Sequence, residues 1–209
     1  MTLSAIIEQI STRLAQMPWL EFTAMVLALA YLVLIMRQNS WGWVCALIST
    51  AIYTLVFWEV SLLMDAGLNV YYMVMAVYGW WQWQKAAGDH QQPLQVQRWP
   101  MAWHGFWIGI IIGATLLSGS LLTKHTQAAW PYLDSFTTWG SVFTTYLVAR
   151  KVLENWYYWM VLNTVSLYLY IDRGLYFTAL LFILYLVLSV FGYLAWRKSY
   201  DQYVVTEPR

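Results

Sequence analysis

A short run of polar and aromatic residues interrupts an apolar part of the sequence. Asp65, Asn69 and Tyr72 follow one another at steps of four and three residues, so a helix would present them on one face. An amide both donates and accepts hydrogen bonds, and a phenol adds a flat aromatic surface. This combination suits reversible binding of a polar aromatic molecule, with Asp65 near the end of the run, where water reaches it.

A second run has the same steps near the C-terminal end. Trp159, Asn163, Ser166 and Tyr170 are spaced by four, three and four residues, and Tyr168, between the last two, is included in the predicted site. Aromatic faces attract a cationic ring by roughly 0.5–2 kcal/mol, depending on how dry the site is. We therefore predict one binding site built from both runs. The alternative is that the amides and the hydroxyl only join neighbouring helices, a contribution of about 0.6 kcal/mol each in a membrane.

The sequence has no comparable group of residues for catalysis or for metal binding. The histidines His90, His104 and His125 all lie away from the middle of an apolar segment, and no H-E-x-x-H motif is present. One cysteine, Cys45, cannot form an internal disulfide, and no phosphate-binding G-x-x-x-x-G-K-[ST] motif exists. We expect no enzymatic activity, no cofactor and no metal.

The surrounding sequence predicts an all-α membrane protein. Hydrophobic residues make up 61% of the 209 residues and charged residues only 10%, against about 25% charged residues in an ordinary soluble domain. The net charge of +1 gives no reason to expect a nucleic-acid partner, so the expected surroundings are a lipid bilayer. Seven apolar segments have the length to span it: 20–36, 41–58, 62–83, 102–122, 133–149, 155–171 and 174–196.

The remaining segments complete a single transmembrane domain over residues 1–209. Residues 1–18 include an amphipathic stretch expected to form a helix at the membrane interface. Residues 86–132 are predicted to be a loop followed by a linker helix at 102–122, and residues 199–209 a cytoplasmic tail. With seven spans, three Lys and Arg lie on the side of the N-terminus and eight on the other. Cytoplasmic loops carry the excess of cations, so we expect the N-terminus outside and the C-terminus inside.

Residues 20–85 and 133–198 form an internal repeat. Most matches, such as Gly79 with Gly192, are 113 residues apart, whereas Trp41 is matched with Trp156 at a spacing of 115. That two-residue slip would place Asn163 opposite the apolar Ile48. Two three-span repeats of the same orientation need one span between them, which predicts a 3+1+3 arrangement of parallel three-helix repeats. Polar residues that break the repeat, Asn163 among them, suit an asymmetric ligand on the axis between the halves.

Three segments resemble the PnuC family of vitamin transporters. They are "DAGLNVYYMVMAVYGWWQW" at 65–83, the stretch 133–182 containing "ARKVLENWYYWMVLN", and "RQNSWGWVCALISTAIYTLVF" at 37–57. The resemblance implies uptake of nicotinamide riboside, or of thiamine in one subgroup, and a fold like that of SWEET sugar carriers. It also implies facilitated diffusion, with a cytoplasmic kinase trapping the vitamin as a phosphate.

The resemblance carries the family's binding positions onto Asn69, Tyr72, Trp159 and Asn163. Many members have Gln at the position of Asn69, and this departure leaves the choice of vitamin open. An ion-coupled symporter of a small cationic aromatic solute remains the other alternative, as does assembly into a homo-oligomer. The expected location is the bacterial inner membrane.

Overall fold

The computed structural model describes residues 3–59, 63–88, 94–126 and 130–206. Within these ranges the chain forms eight α-helices and no named strand. They are α1 (Leu3–Gln16), α2 (Trp19–Met36), α3 (Trp41–Glu59), α4 (Leu63–Gly88), α5 (Met101–His125), α6 (Pro131–Ala149), α7 (Asn155–Asp172) and α8 (Tyr176–Thr206). Parts of the predicted 86–132 segment, the first residue of the predicted 62–83 span and the last residues of the predicted tail lie outside the described ranges.

The all-helical prediction is confirmed, with two differences at helix ends. Each of the seven predicted spans coincides with one of the helices α2 to α8. Helix α8 runs on to Thr206, so most of the expected tail continues the last helix. Helix α4 extends to Gly88, beyond the predicted end of its span at 83. Neither extension crosses a proline, the residue that would have ended the helix.

Four helices, α2, α3, α5 and α8, are long and apolar enough by composition to cross a membrane. Helices α6 and α7 are more polar, but much of that polarity is buried, including Ser135, Thr144 and Asn163. Hydroxyl side chains in the helices bond their own backbone, as Thr50 does with the Ala46 carbonyl at 2.7 Å. Hydroxyl groups of this kind are satisfied within their own helix, which suits a lipid environment without hydrogen-bonding groups.

Six helices pack in a closed ring. Helix α3 packs against both α2 and α4, and α7 packs against both α6 and α8. We refer to α2, α3 and α4 as the first row and to α6, α7 and α8 as the second row. The two rows meet where α4 contacts α6 and where α8 contacts α2. Helix α5 lies outside the ring on α6, and α1 lies against α8, where the Gln9 side chain donates to the Gly174 carbonyl at 3.2 Å.

Tryptophan rings on glycines hold each row together. The ring of Trp43 lies directly on Gly79, so a Cβ there would overlap it, and the ring of Trp156 lies on Gly192 in the same way. Each ring also meets a second indole edge-on, Trp83 in the first row at 5.6 Å and Trp196 in the second at 5.4 Å between ring centroids. The equivalent residues are 113 apart throughout.

This packing corrects the register predicted for the repeat. Trp156 corresponds to Trp43, and not to Trp41, so the expected two-residue slip is wrong. Trp41 is 63% exposed and lies on the outside of α3, whereas Trp43 is buried. Asn163 therefore corresponds to Thr50, a polar residue, rather than to Ile48. The two halves still differ at this position, because the amide of Asn163 corresponds to the hydroxyl of Thr50.

The second pair of indoles joins the two rows. The Trp83 ring nitrogen donates to the Ala149 carbonyl at 3.1 Å, and the Trp196 ring nitrogen donates to the Ile35 carbonyl at 3.0 Å. Both indoles are buried, although their position near Lys85 and Arg197 is typical of membrane-interface tryptophans. Trp81 has the exposure expected of a tryptophan at the membrane interface, and its ring lies 5.0 Å from the Lys85 amine.

Residues 94–100 cross the same end of the ring as an extended segment. Gln97 forms a parallel β-bridge with Val152, in the link between α6 and α7. The Gln97 amide donates to the Lys151 carbonyl at 3.0 Å, and the Leu153 amide donates to the Gln97 carbonyl at 2.8 Å. Arg98 forms an ion pair with Glu154 at 2.8 Å. The segment thereby connects α5 to both rows.

The tryptophan–glycine contacts predict the effect of adding one methyl group. Gly192→Ala forces the buried Trp156 ring to move, and overpacking of this kind costs about 1–3 kcal/mol. We expect a lower melting temperature for the purified protein in detergent. Gly109→Ala is the matched control, because nothing lies within 4 Å of the added Cβ in the middle of α5. Equal melting temperatures for the two variants would contradict this account of the packing.

Candidate functional site

The interior of the ring is lined by tyrosines. The Tyr31 hydroxyl on α2 lies within electrostatic range of Tyr72 on α4, and the Tyr185 hydroxyl on α8 lies within that range of Tyr53 on α3. Neither helix pair is in direct contact within the described residues, so these side chains reach toward each other across the interior. Tyr170 on α7 comes within the same range of Tyr185. Five of the six ring helices thus contribute a phenol to one interior surface.

Asn163 lies on that surface and has hydrogen-bonding capacity to spare. Its side chain is 5% exposed and donates to the Ser189 hydroxyl on α8 at 3.2 Å. Ser189 in turn donates to the Tyr185 carbonyl at 2.7 Å. The Asn163 side-chain oxygen accepts no hydrogen bond from any described residue. An amide oxygen that no protein group donates to can accept a hydrogen bond from a ligand.

Asn69 on α4 has a similar surplus. Its side-chain nitrogen donates to the Asp65 carbonyl at 2.9 Å, one turn away on its own helix. Its oxygen has no donor among the described residues, although the side chain is nine-tenths buried. Tyr72 lies three residues further along and forms a side-chain hydrogen bond with Ser141 on α6. The first predicted run therefore reaches the interior from α4 and is linked there to the second row.

Acidic residues surround the end of the ring where α2, α4 and α6 begin. Glu21 pairs with Arg13 at 3.8 Å, and Asp134 pairs with Arg173 at 3.0 Å. Asp65 is exposed, lies within electrostatic range of Asp134 and Tyr170, and forms no ion pair with a described residue. We refer to this end as the acidic end. The opposite end, which carries Arg37, Lys85, Arg98, Arg150, Lys151, Arg197 and Lys198, is the basic end.

The predicted site residues do not all lie together. Trp159 and Ser166 share the face of α7 that carries Asn163, Ser166 buried and Trp159 partly buried against the tryptophan core. Tyr168 is different: it is 53% exposed, and its ring meets Trp130 outside the interior, 6.1 Å between centroids. Two residues beyond Ser166, it lies on the other side of the helix, so the structure separates it from the other predicted residues. Tyr170, one turn beyond Ser166, occupies the interior position.

Sequence reasoning missed Tyr31, Tyr53, Tyr185 and Ser189 as members of the interior surface. One signal was present, since Tyr72 and Tyr185 match at the repeat spacing of 113. Many other tyrosines in the chain lie at apolar or interfacial positions, and their spacing along each helix does not distinguish them from these. The inward-facing set becomes visible only when six helices are placed around one axis.

The apolar cleft outside the ring is less suited to a polar ligand. A cleft of about 300 Å³ lies between α5, α6 and α7, but its lining is apolar apart from two tyrosines, and it includes none of the predicted site residues. No group of three or more His, Cys, Asp or Glu side chains is placed to hold a metal ion within the described ranges. The interior surface is therefore the candidate site.

Comparison with known proteins places this geometry among transporters. Residues 18–198 match the family model described as nicotinamide mononucleotide transporter. A riboflavin/roseoflavin transporter of Streptomyces davaonensis, RibM, is 26% identical over 195 residues, covering 90% of each chain. The nicotinamide riboside transporter PnuC of Escherichia coli is 20% identical, covering 87% of this chain and 86% of that one. PnuC of Neisseria mucosa is 26% identical, covering 86% and 72%.

A solved structure has the same fold. The crystal structure of the vitamin B3 transporter PnuC superposes with a TM-score of 0.73 and covers 96% of this chain and 90% of its own. The two sequences are 22% identical, so the likeness concerns the arrangement of the helices and not the ligand.

Proposed function

Because the chain belongs to the nicotinamide mononucleotide transporter family, a family of membrane transporters and not of enzymes, we propose that it takes up nicotinamide riboside by facilitated diffusion. A cytoplasmic kinase would then trap the vitamin as a phosphate. The observation that carries the proposal is the interior surface, to which several helices contribute tyrosines and to which Asn69 and Asn163 contribute buried side chains whose oxygens accept from no described residue. Those groups match the vitamin, which has a cationic pyridinium ring, a carboxamide and ribose hydroxyls.

In the proposed complex the pyridinium ring stacks on interior aromatics, with Trp159 and Tyr72 as the predicted faces. A cationic ring gains from such faces, and more so in a dry site. Asn163 and Asn69 accept hydrogen bonds from the hydroxyls or the carboxamide of the ligand. Asp65, the acidic-end carboxylate without an ion-pair partner among the described residues, adds attraction for a positive charge.

Transport is proposed to follow from the arrangement of the two rows. The recurring Trp–Gly contacts at a spacing of 113 residues support the 3+1+3 arrangement, with α2–α4 and α6–α8 as parallel three-helix repeats and α5 as the linker. Such repeats alternate access by rocking about a central site. The cation excess at the basic end supports a cytoplasmic C-terminus in the inner membrane, with the N-terminus outside.

Riboflavin is the second candidate, since the relative RibM is named a riboflavin/roseoflavin transporter and is 26% identical over nearly the whole chain. Riboflavin is neutral, so the cation attraction just described favours nicotinamide riboside. Thiamine is also a cationic aromatic vitamin and remains the alternative expected from the family resemblance. Ion coupling is the alternative to facilitated diffusion.

Uptake into proteoliposomes tests the substrate and the energetics together. We expect the purified protein to equilibrate radiolabelled nicotinamide riboside, to be inhibited little by excess riboflavin or thiamine, and to be insensitive to a protonophore. Preferential uptake of riboflavin or thiamine would reassign the substrate. Accumulation above the external concentration that a protonophore abolishes would replace facilitated diffusion with ion coupling.

Binding measurements test the residues. Asn163→Ala removes the amide oxygen that the ligand is expected to use, and we expect affinity for nicotinamide riboside to fall roughly tenfold, or about 1.4 kcal/mol. Asn69→Ala should act in the same direction. Thr164→Ala is the matched control, because Thr164 is exposed next to Asn163 and bonds only its own helix. Unchanged affinity in both asparagine variants, by isothermal titration, would remove the interior surface as the site.

A further inference from the structure

Lys151 lies at the basic end in the link between α6 and α7, with 8% of its surface exposed. Its backbone is in the left-handed region, at φ 50°, as is that of Gln38, its equivalent 113 residues earlier, at φ 56°. The Lys151 amine donates to the Gln38 side-chain oxygen at 3.3 Å and lies 4.5 Å from the centre of the Trp83 ring. It is thus held by the α2–α3 link and by α4, both in the opposite row.

The partners of this amine are neutral. The ion pairs of the basic end within the described residues join Arg98 and the His104 ring to Glu154 and Arg197 to Asp201, and none includes Lys151. An amide oxygen and an aromatic face offset part of the cost of removing an ammonium group from water, but a carboxylate would offset far more. Burial accordingly lowers the pKa of Lys151 to about 8.

The location of the amine couples its hydration to the contact between the rows. Trp83 bonds Ala149 and Trp196 bonds Ile35 at this same end, and residues 94–100 cross it through Gln97. The amine is largely removed from water while these contacts hold. Loosening them exposes the ammonium group to more water.

We propose that Lys151 is a positioning residue that holds the closed basic end ready to open, because its buried unpaired charge raises the free energy of the closed state and is relieved when the rows separate. The proposal rests on the alternating access of the proposed function. In this proposal the cross-row indole hydrogen bonds stabilise the closed state of this end. Lys151 acts in the opposite direction, because its charge reduces the stability of that state.

The sign of the pH dependence follows from the two states. The amine binds its proton less tightly in the closed state, with the pKa lowered to about 8, than in water, where lysine titrates near 10.4. Protonation therefore favours the open state, and raising the pH from 7 to 9.5 stabilises the closed one. The other charged groups of the basic end are Arg37 and Arg150 beside the two links, the Arg98–Glu154 pair, Lys85 on α4, Lys198 and the Arg197–Asp201 pair on α8. Substitution at position 151 separates its response from theirs.

Hydrogen–deuterium exchange of the full-length protein in nanodiscs measures the opening without any ligand. The amides of residues 94–99 and 150–155 report on it, after correction for the intrinsic pH dependence of exchange. For the unaltered chain we expect the corrected opening constant to fall about 30-fold between pH 7 and 9.5.

Substitutions separate a charge effect from a structural one. Lys151→Met should already be at least about tenfold more protected at pH 7, with no pH response over this range. Lys151→Arg stays charged, so it should show the higher opening constant at both pH values. Lys198→Met is the matched control, an exposed cation at the same end, and should behave as the unaltered chain does.

Two results would overturn the proposal. One is faster exchange in Lys151→Met than in the unaltered chain at pH 7, which would make the lysine a latch. The other is a pH response in Lys151→Met equal to that of the unaltered chain. If the methionine variant does not fold, the pH series of the unaltered chain and of Lys151→Arg decides. Nicotinamide riboside titrations on the same samples keep the proposals apart, because absence of binding contradicts the proposed function and leaves the exchange result standing.

Discussion

The fit of an indole ring on a glycine is the interaction on which the rest of this structure depends. Trp43 on Gly79 and Trp156 on Gly192 let α3 approach α4 and let α7 approach α8 closely enough to form two equivalent rows. The same two glycine-bearing helices carry Trp83 and Trp196, whose ring nitrogens bond the opposite row. Packing within a row and closure between rows are thus properties of one cluster at one end.

A bilayer explains why the polar groups lie where they do. Lipid offers no hydrogen bonds, so hydroxyls turn to their own backbone and amides and phenols turn inward. A ring of six helices leaves a central surface where such groups meet. Here it collects Tyr31, Tyr53, Tyr72, Tyr170 and Tyr185, together with two amides that retain unused acceptors. The outer surfaces remain apolar, including the cleft on which α5 packs.

The two ends of the ring differ in charge and in construction. The acidic end has carboxylates around the interior, and Asp65 there has no ion-pair partner among the described residues. The basic end is closed by buried indoles and by the segment 94–100, and the Lys151 amine is buried within it. A cationic solute would therefore meet attraction at one end and a closed, positively charged boundary at the other, an asymmetry that suits movement in which the ends open in turn.

The sequence by itself determined the helical segments of α2 to α8, the 113-residue match of Gly79 with Gly192, and the shared helix face of Asn69 and Tyr72, because hydrophobic length and helical spacing are local properties of the chain. It predicted the wrong register for Trp156, which was matched with Trp41 instead of Trp43. It also placed Tyr168 in the site, whereas Tyr170 faces the interior. In both cases the two candidates are two residues apart and differ only in the side of the helix they occupy. Which side faces a neighbour is decided by tertiary packing. The inward tyrosines, the cross-row indole hydrogen bonds and the dry environment of Lys151 likewise exist only once distant helices meet, since each joins residues far apart in the chain.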